Sequence, residues 1–297
     1  MFSYRHAFHA ANHADVLKHI TLLATLRHLQ QKEPGITLID THAGAGLYRL
    51  DGDYSQKGAE AADGLFKLLE AADDLANLPE PVQDYLQQIG HFNSSGQARI
   101  YPGSPALMAR LLRQDARDRL KLFEMHPTDS PVLAGNMAQL ALGRAVQVSR
   151  EDGFEALRKL LPPPASSSGS RRAMVLIDPS YEIKSDYAKV SSSIQDSLKR
   201  FATGTYLIWY PIIARPEAHE LPRRLRTLAN QARRSWLNAT LAIGKGQAGD
   251  TGLSASGMFL INPPFTLAEQ LRTALAMVGP ALARGVGKGW QVETGSP

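Results

Sequence analysis

The chain of 297 residues contains no cysteine, which excludes disulfide bonds and thiolate metal sites. It also lacks any apolar run of the roughly 18–20 residues that a transmembrane helix needs. The opening residues, MFSYRHAFHA, are polar and rich in histidine, so they lack the apolar stretch of a signal peptide. These absences predict a cytoplasmic protein without a membrane segment. We expect no bound metal, because no carboxylate or cysteine pattern accompanies the N-terminal histidines.

The net charge of the chain is +5, which favours an anionic partner, above all a nucleic acid. A mildly basic protein without such a partner fits the charge equally well. The segment LPRRLRTLANQARR, residues 221–234, holds five arginines and no acid at helical spacing. Such a helix face is more often merely solvated, and contact with phosphates is the alternative.

Apolar segments alternate with helical patterns along most of the chain. Strands are predicted at 36–42, 120–126, 145–152, 173–178, 204–211, 236–244 and 257–265. Such alternation predicts parallel strands joined by right-handed crossovers, whereas the short final connection predicts a hairpin and an antiparallel last strand. The expected fold is therefore α/β and Rossmann-like, with a seven-stranded, mostly parallel sheet and one antiparallel strand. This topology resembles that of the class I S-adenosylmethionine-dependent methyltransferases. We expect one domain, 1–297, with a small helical insertion at about 50–100.

The first predicted strand runs into DTHAGAG, residues 40–46. In this Gly-x-Gly turn, Gly44 and Gly46 let the backbone approach a ligand at the carboxyl end of the strand. A tight strand-to-helix turn without a ligand is the alternative. Arg49 occupies the position of the third glycine of a dinucleotide fingerprint, which disfavours a dehydrogenase.

Two further strands end in acids. Glu124 ends the second predicted strand, where a carboxylate can accept both hydroxyls of a ribose. Asp152 ends the third and can accept from an adenine amino group. Either acid alone is more often a helix cap or a surface charge. With the glycine turn, they predict an adenosine-shaped site across three strand ends.

The fourth strand ends in Asp178, and Pro179, Ser180 and Tyr181 follow. This DPSY sequence resembles the [Asp/Asn/Ser]-Pro-Pro-[Tyr/Phe/Trp] motif of amino-group methyltransferases. An adenine amino nitrogen is a poor nucleophile, because its lone pair is delocalised into the ring. The Asp178 carboxylate and the Pro179 carbonyl can accept its two N–H groups, and Tyr181 can stack on a base turned out of its helix or loop. Positioning of the amine and electrostatic stabilisation would then account for the rate enhancement.

A second stretch, NPPF at 262–265, matches the same motif more literally. It follows the last predicted strand. Because that strand is expected to run antiparallel, its end would lie at the sheet edge opposite Asp178. We therefore expect Asp178, rather than Asn262, to carry the chemistry and NPPF to be a structural turn.

Several stretches, in this order, closely resemble the RlmJ-type 23S ribosomal RNA adenine-N6 methyltransferases: YRHAFHAANHADVLKH, DTHAGAGLY, YPGSP, DPSYE and INPPF. The resemblance covers nearly the whole chain. It implies S-adenosylmethionine as methyl donor and a specific adenosine of 23S rRNA as target. It also implies action on RNA that is free or partly assembled rather than in the mature subunit. We expect a monomer.

The resemblance also implies roles for individual residues. The positions matching the family's cofactor pocket are Lys18, His19, His42, Ser104, Glu124 and Asp152. Asp178 matches the catalytic acid and is also expected to border the cofactor. The Gly-x-Gly turn described above would place Gly44 and Gly46 beside the methionine part of the cofactor. Tyr4 matches a residue placed to cover the active site. Ser180 departs from the family's common DPPYE, which leaves the strength of base positioning open.

Two other functions remain open at this point. A DNA adenine-N6 methyltransferase would use the same local motif, which does not separate RNA from DNA. A catalytically silent RNA-binding protein could keep the fold without the reaction. Methyl transfer assayed on both nucleic acids would distinguish them.

Overall fold

A computed structural model describes residues 9–50, 60–72, 75–94, 96–166, 169–245 and 252–296. The strands, in chain order, are β1 (Thr37–Asp40), β2 (Leu47–Arg49), β3 (Ile100–Pro102), β4 (Arg119–Phe123), β5 (Val146–Ser149), β6 (Ala173–Ile177), β7 (Thr205–Pro211), β8 (Trp236–Ala242), β9 (Ala255–Ile261) and β10 (Gly289–Gly295). Eight of them form one sheet in the order β10-β8-β9-β7-β6-β1-β4-β5, and β2 pairs with β3 separately.

Most of the large sheet is parallel. Strand β1 pairs in parallel with β4 and β6, β4 with β5, and β6 with β7. Strand β9 lies antiparallel between β7 and β8, which confirms the predicted direction of this strand. The α/β fold class is thus confirmed, and the carboxyl ends of β1, β4, β5 and β6 meet at one edge.

The predicted strand count is wrong by one. Strand β10 adds an eighth, antiparallel strand beside β8, from Gly289 opposite Ala242 to Gly295 opposite Trp236. Its sequence, GWQVETG, is mostly exposed or half-buried and has no continuous apolar run. An edge strand with so little apolar surface carries almost no pattern by which the sequence could reveal it.

Helices cover both faces of the sheet. They are α1 (His13–Gln30), α2 (Lys67–Glu70), α3 (Glu80–His91), α4 (Ser104–Arg110), α5 (Asp129–Ala138), α6 (Gly153–Leu160), α7 (Ser185–Arg200), α8 (Pro216–Gln231) and α9 (Leu267–Leu282). On one face α1 packs against α3 and α9, and on the other α7 packs against α6 and α8. No helix among the described residues is both long and apolar enough to cross a bilayer.

Alternation along the central strands divides the interior into two cores. Leu38 of β1 and Met174 of β6 belong to the core under α1, whereas their neighbours Ile39 and Val175 belong to the core under α7. All residues of β6 are buried, as expected for a parallel strand covered on both faces. The burial of both faces leaves the strand ends as the place for a site.

Helix α1 is buried on nearly all sides from His13 to Leu26, which brings its polar residues into the interior. Its N-cap is Asn12, whose side chain accepts from the Asp15 N–H at 2.9 Å. The Asp15 carboxylate in turn accepts from the backbone N–H of Ala11 at 2.9 Å. This reciprocal cap fixes the start of the helix.

Between β2 and β3, the described residues include a π-helical turn (Ala62–Phe66), α2, a 3-10 turn (Leu75–Asn77) and α3. These turns lie within the range 50–100. The division of the chain into one domain with a helical insertion stays a prediction.

Candidate active site

A cavity of about 390 Å³ opens at the edge where β1, β4, β5 and β6 end. This is where open α/β sheets bind ligands, and the volume falls in the range of small-molecule sites. The predicted residues that line it are Lys18, His42, Gly44, Ser104, Glu124, Asp152, Asp178 and Pro179. Lys18 and Asp178, which are 160 positions apart in the chain, thus share one cavity.

Three other predicted residues do not line this cavity, and Tyr4 lies outside the described residues. His19 is fully buried, and its Nδ1 shares a hydrogen bond of 2.7 Å with the Tyr101 hydroxyl. Gly46 has a φ of +80°, and a Cβ there would lie 2.9 Å from Leu133 Cδ1. In this structure, His19 and Gly46 therefore serve packing beside the site, and their contact with a cofactor stays a prediction.

Tyr181, the third of these residues, lies behind the cavity wall. It is 2% exposed, has a φ of +54°, and donates its hydroxyl to the Trp209 carbonyl at 2.7 Å. Its ring centroid lies 4.6 Å from that of Tyr187. The turn after Asp178 is thereby anchored to β7. The predicted stacking of Tyr181 on a target base stays a prediction.

Glu124 connects the ends of β1 and β4. Its Oε2 accepts from the Gly44 N–H at 2.7 Å, and its Oε1 accepts from the His126 N–H at 2.6 Å. Burial raises the pKa of Glu124, and the two amides oppose this shift. Each carboxylate oxygen keeps a second lone pair for a ligand hydroxyl. Two features require glycine at position 44. Its φ is +59°, and a Cβ there would lie 2.2 Å from the Tyr48 hydroxyl.

Asp152 is the N-cap of α6. Its Oδ1 accepts from the Phe154 N–H at 2.8 Å, while Oδ2 has no hydrogen-bond partner within the described part of the chain. The sequence offered a cap or a ligand contact as alternatives, and one carboxylate can supply both. Beside it, the Phe154 ring packs edge-on against His42 at 4.8 Å. Burial lowers the pKa of His42 to about 4, so the imidazole is neutral at pH 7.

The Lys18 ammonium group is held directly between two carboxylates, those of Asp15 and Asp178. Its Nζ lies 2.6 Å from Asp178 Oδ2 and 2.7 Å from Asp15 Oδ1. Burial alone would lower the pKa of Lys18, but the two carboxylates outweigh it and hold this pKa well above its usual value. The Asp178 carboxylate therefore faces a permanent positive charge and has a fixed orientation. Asp15 was not identified from the sequence as the third residue of this charged group, although its i,i+3 spacing places it beside Lys18 on the helix.

A second buried acid, Asp40, was also missed as part of this region. Its carboxylate accepts from the Ser104 hydroxyl at 2.7 Å and from the His42 N–H at 3.2 Å. Burial raises the pKa of Asp40 to about 7, against the effect of these hydrogen bonds. Asp40 thus positions the predicted cofactor residue Ser104. The signal for it was an acid at the end of a mostly apolar strand.

Asn262 lies at the opposite edge of the sheet from Asp178. Strand β9 ends at Ile261, which pairs with Tyr206 near the start of β7. Asn262 has a φ of +55°, and its side-chain amide donates to the carbonyls of Ala202 and Gly204 at 2.8 and 2.6 Å. NPPF is therefore a turn, as predicted. Among the described residues, no group of three or more His, Cys, Asp or Glu side chains could hold a metal ion.

Comparison with known proteins extends these observations to the whole chain. The family described as Ribosomal RNA large subunit methyltransferase D, RlmJ, matches residues 33–294. Ribosomal RNA large subunit methyltransferase J of Haemophilus influenzae is 40% identical over 299 residues, covering 100% of both chains. The protein of the same name from Escherichia coli K12 is 41% identical, covering 93% of this chain and 92% of its own.

A solved structure agrees with the fold. The crystal structure of protein LPL1258 from Legionella pneumophila has a TM-score of 0.82 and 31% sequence identity. The match covers 97% of this chain and 99% of that protein. With a sheet-edge cavity bordered by DTHAGAG and DPSY, and a family match over nearly its full length, the chain belongs to the ribosomal RNA large subunit methyltransferase D, RlmJ, family.

Proposed function

We propose that this protein transfers a methyl group from S-adenosylmethionine to the N6 amino group of a specific adenosine in 23S rRNA. The observation that carries the proposal is the position of Asp178 and Pro179 in the same cavity as Gly44, Glu124 and Asp152. The names of the relatives, which are rRNA large subunit methyltransferases, support the choice of substrate.

The residues of the cavity fit this cofactor. Glu124 offers carboxylate oxygens to ribose hydroxyls, and Asp152 offers Oδ2 to an adenine amino group. The left-handed backbone at Gly44 keeps that part of the wall free of a side chain, which suits the methionine portion. When bound, S-adenosylmethionine supplies an electrophilic methyl group on a sulfonium.

The protein's own contribution is to orient the weak nucleophile. The Asp178 carboxylate and the Pro179 carbonyl accept the two N–H groups of the target amine, which favours a pyramidal nitrogen with a directed lone pair. Lys18 holds that carboxylate in place at 2.6 Å. Because the acceptors are preorganised, little reorganisation is needed during the reaction. On the family resemblance, Tyr4 covers the site.

The substrate RNA is free or partly assembled, because a base that must be turned out of its surroundings needs access to a cavity at the sheet edge. We assign the whole chain, 1–297, to one methyltransferase domain with an insertion at about 50–100, acting as a monomer in the cytoplasm. The net charge of +5 favours the approach of an RNA backbone.

Mass-spectrometric mapping of rRNA from cells with and without the gene tests this function and identifies the nucleotide. Purified protein should methylate 23S rRNA fragments and not duplex DNA. Asp178→Ala should abolish transfer while sparing RNA binding. Methylation of DNA in preference to RNA would favour the DNA methyltransferase, and failure to methylate any RNA would favour a silent RNA-binding protein.

A further inference from the structure

Ser180 lines the catalytic cavity on a turn that is held on both sides. Before it, Asp178 is fixed by the buried ammonium group of α1. After it, Tyr181 donates its hydroxyl to the Trp209 carbonyl at 2.7 Å, and its own carbonyl accepts from the Arg215 guanidinium at 3.1 Å. The backbone that carries Ser180 is therefore preorganised, although Ser180 itself is exposed.

The Ser180 hydroxyl does not help to hold together the part of the chain that the structure describes. Within the described residues it has no hydrogen-bond partner, whereas the carboxylate of Asp178 two residues earlier is tied to an ammonium group. A serine hydroxyl carries one donor hydrogen, which rotates about the Cβ–Oγ bond to meet an acceptor. An exposed hydroxyl on a fixed turn, beside the acceptors for the target amine, is available to the same base.

The chemistry of adenine identifies what this hydroxyl would meet. The two N–H groups of the amine are taken by Asp178 and Pro179 in the proposed function, on which this inference rests. The atoms that flank the amine are ring nitrogens, N1 and N7, and both accept hydrogen bonds. We propose that Ser180 is a specificity-determining residue, whose hydroxyl donates a hydrogen bond to a ring nitrogen beside the methylated amine.

The test uses the mapped 23S rRNA fragment in three forms, with adenosine, 1-deazaadenosine or 7-deazaadenosine at the target position. Wild type, Ser180→Ala and Ser180→Thr are compared by kcat/KM. Ser192→Ala is the matched control, since Ser192 is exposed on α7 and its hydroxyl donates to the carbonyl of Lys189. Thermal melting of each variant reports on folding.

On adenosine, Ser180→Ala should lose about three- to tenfold in kcat/KM, the effect of one neutral hydrogen bond, and Ser180→Thr should retain the wild-type rate. On the one analogue that lacks the contacted nitrogen, wild type should slow and Ser180→Ala should lose nothing further. The other analogue should preserve the difference between the two proteins.

Equal losses of Ser180→Ala on all three RNAs would show a merely structural role and overturn the inference. Full activity of Ser180→Ala on adenosine would also overturn it while leaving the proposed function intact. A wild-type protein that methylates no RNA would overturn the proposed function and this inference together.

Discussion

The Nζ atom of Lys18 lies 2.6 Å from Oδ2 of Asp178, although 160 positions separate the two residues. The contact joins the buried helix α1 to the end of β6, at the point where the target amine is proposed to bind. A buried cation is costly unless carboxylates compensate it, so this pair couples the stability of the fold to the geometry of the site.

Lys18→Met should destabilise the protein by about 3 kcal/mol, because it leaves the carboxylates of Asp15 and Asp178 close together without their shared cation. Denaturant unfolding measures this loss. Lys67→Met is the control: it removes a half-exposed i,i+4 pair with Asp63 and should change the free energy of unfolding by less than about 1 kcal/mol. Equal losses in the two variants would show that the buried ion pair stabilises the fold no more than the half-exposed one.

The DPSY and NPPF motifs resemble each other, but substitutions in them should have opposite effects on activity and stability. Asn262→Ala removes two hydrogen bonds and places alanine at a φ of +55°, so it should lower the free energy of unfolding by about 2–3 kcal/mol. Its kcat/KM should stay at the wild-type value. Asp178→Ala should instead reduce kcat by at least about 100-fold.

Asn262→Gly separates the two causes in the turn, because glycine tolerates the positive φ but cannot donate from a side chain. Its loss of stability should be smaller than that of Asn262→Ala by about 1 kcal/mol. A large loss of kcat/KM in folded Asn262→Ala would contradict the assignment of NPPF to a structural turn.

Asp40 should make stability depend on pH. Its pKa is raised to about 7 in the folded protein, whereas an unfolded aspartate titrates near pH 4. Between these values the folded state binds more protons, so the free energy of unfolding falls as pH rises, by at most about 4 kcal/mol. Asp40→Asn does not titrate there, so its stability relative to wild type should increase from pH 4 to 8.

Asp63→Asn provides a control of opposite sign. Partial burial alone would raise the pKa of Asp63, but Lys67 and Arg284 lower it below its usual value. Wild type should therefore lose stability relative to Asp63→Asn as pH falls below about 4. A stability difference between Asp40→Asn and wild type that is constant from pH 4 to 8 would refute the raised pKa of Asp40.

The arginine-rich helix α8 should contribute to RNA binding through phosphates. Arg223 and Arg224 are exposed, and neither has an ion pair among the described residues. If they contact phosphates, the double variant Arg223→Gln/Arg224→Gln should weaken RNA binding and reduce the slope of log Kd against log salt by about 1.4–1.8.

Arg226→Gln is the matched control on the same helix. Its guanidinium pairs with Glu293 at 3.0 Å and lies over the Trp236 ring at 4.5 Å, so its loss should affect stability rather than the salt slope. An unchanged slope in the double variant would show that this face is only solvated.

Much of the fold could be predicted because a parallel strand that is buried on both faces is a short, continuous run of apolar residues. Strand β6, AMVLI, is buried throughout, and its run ends where Asp178 begins the site. Strand β10 could not be predicted, because an exposed edge strand needs little apolar surface and is recognised only by its pairing with β8. Asn12 could not be identified as the cap of α1 for a different reason, since several polar residues lie near the start of that helix.

The site was predictable where strand ends carry unusual residues. Glu124 and Asp178 directly follow β4 and β6, Asp152 lies three residues after β5, and parallel strands bring such ends to one edge. Side-chain directions were not predictable in this way. Tyr181 follows the same strand, yet its positive φ turns it behind the wall to the Trp209 carbonyl.

The sequence by itself determined the alternation of strands and helices, the acids at the strand ends and the placement of Asp178 and Asn262 at opposite edges of the sheet, because these follow from local periodicity and strand direction. Only the tertiary structure decided that Lys18 faces Asp178, that Asp40 is buried beside Ser104, and that Ser180 lines the cavity while Tyr181 does not. These relationships depend on how distant segments pack and on backbone angles at single residues, neither of which leaves a periodic pattern in the chain.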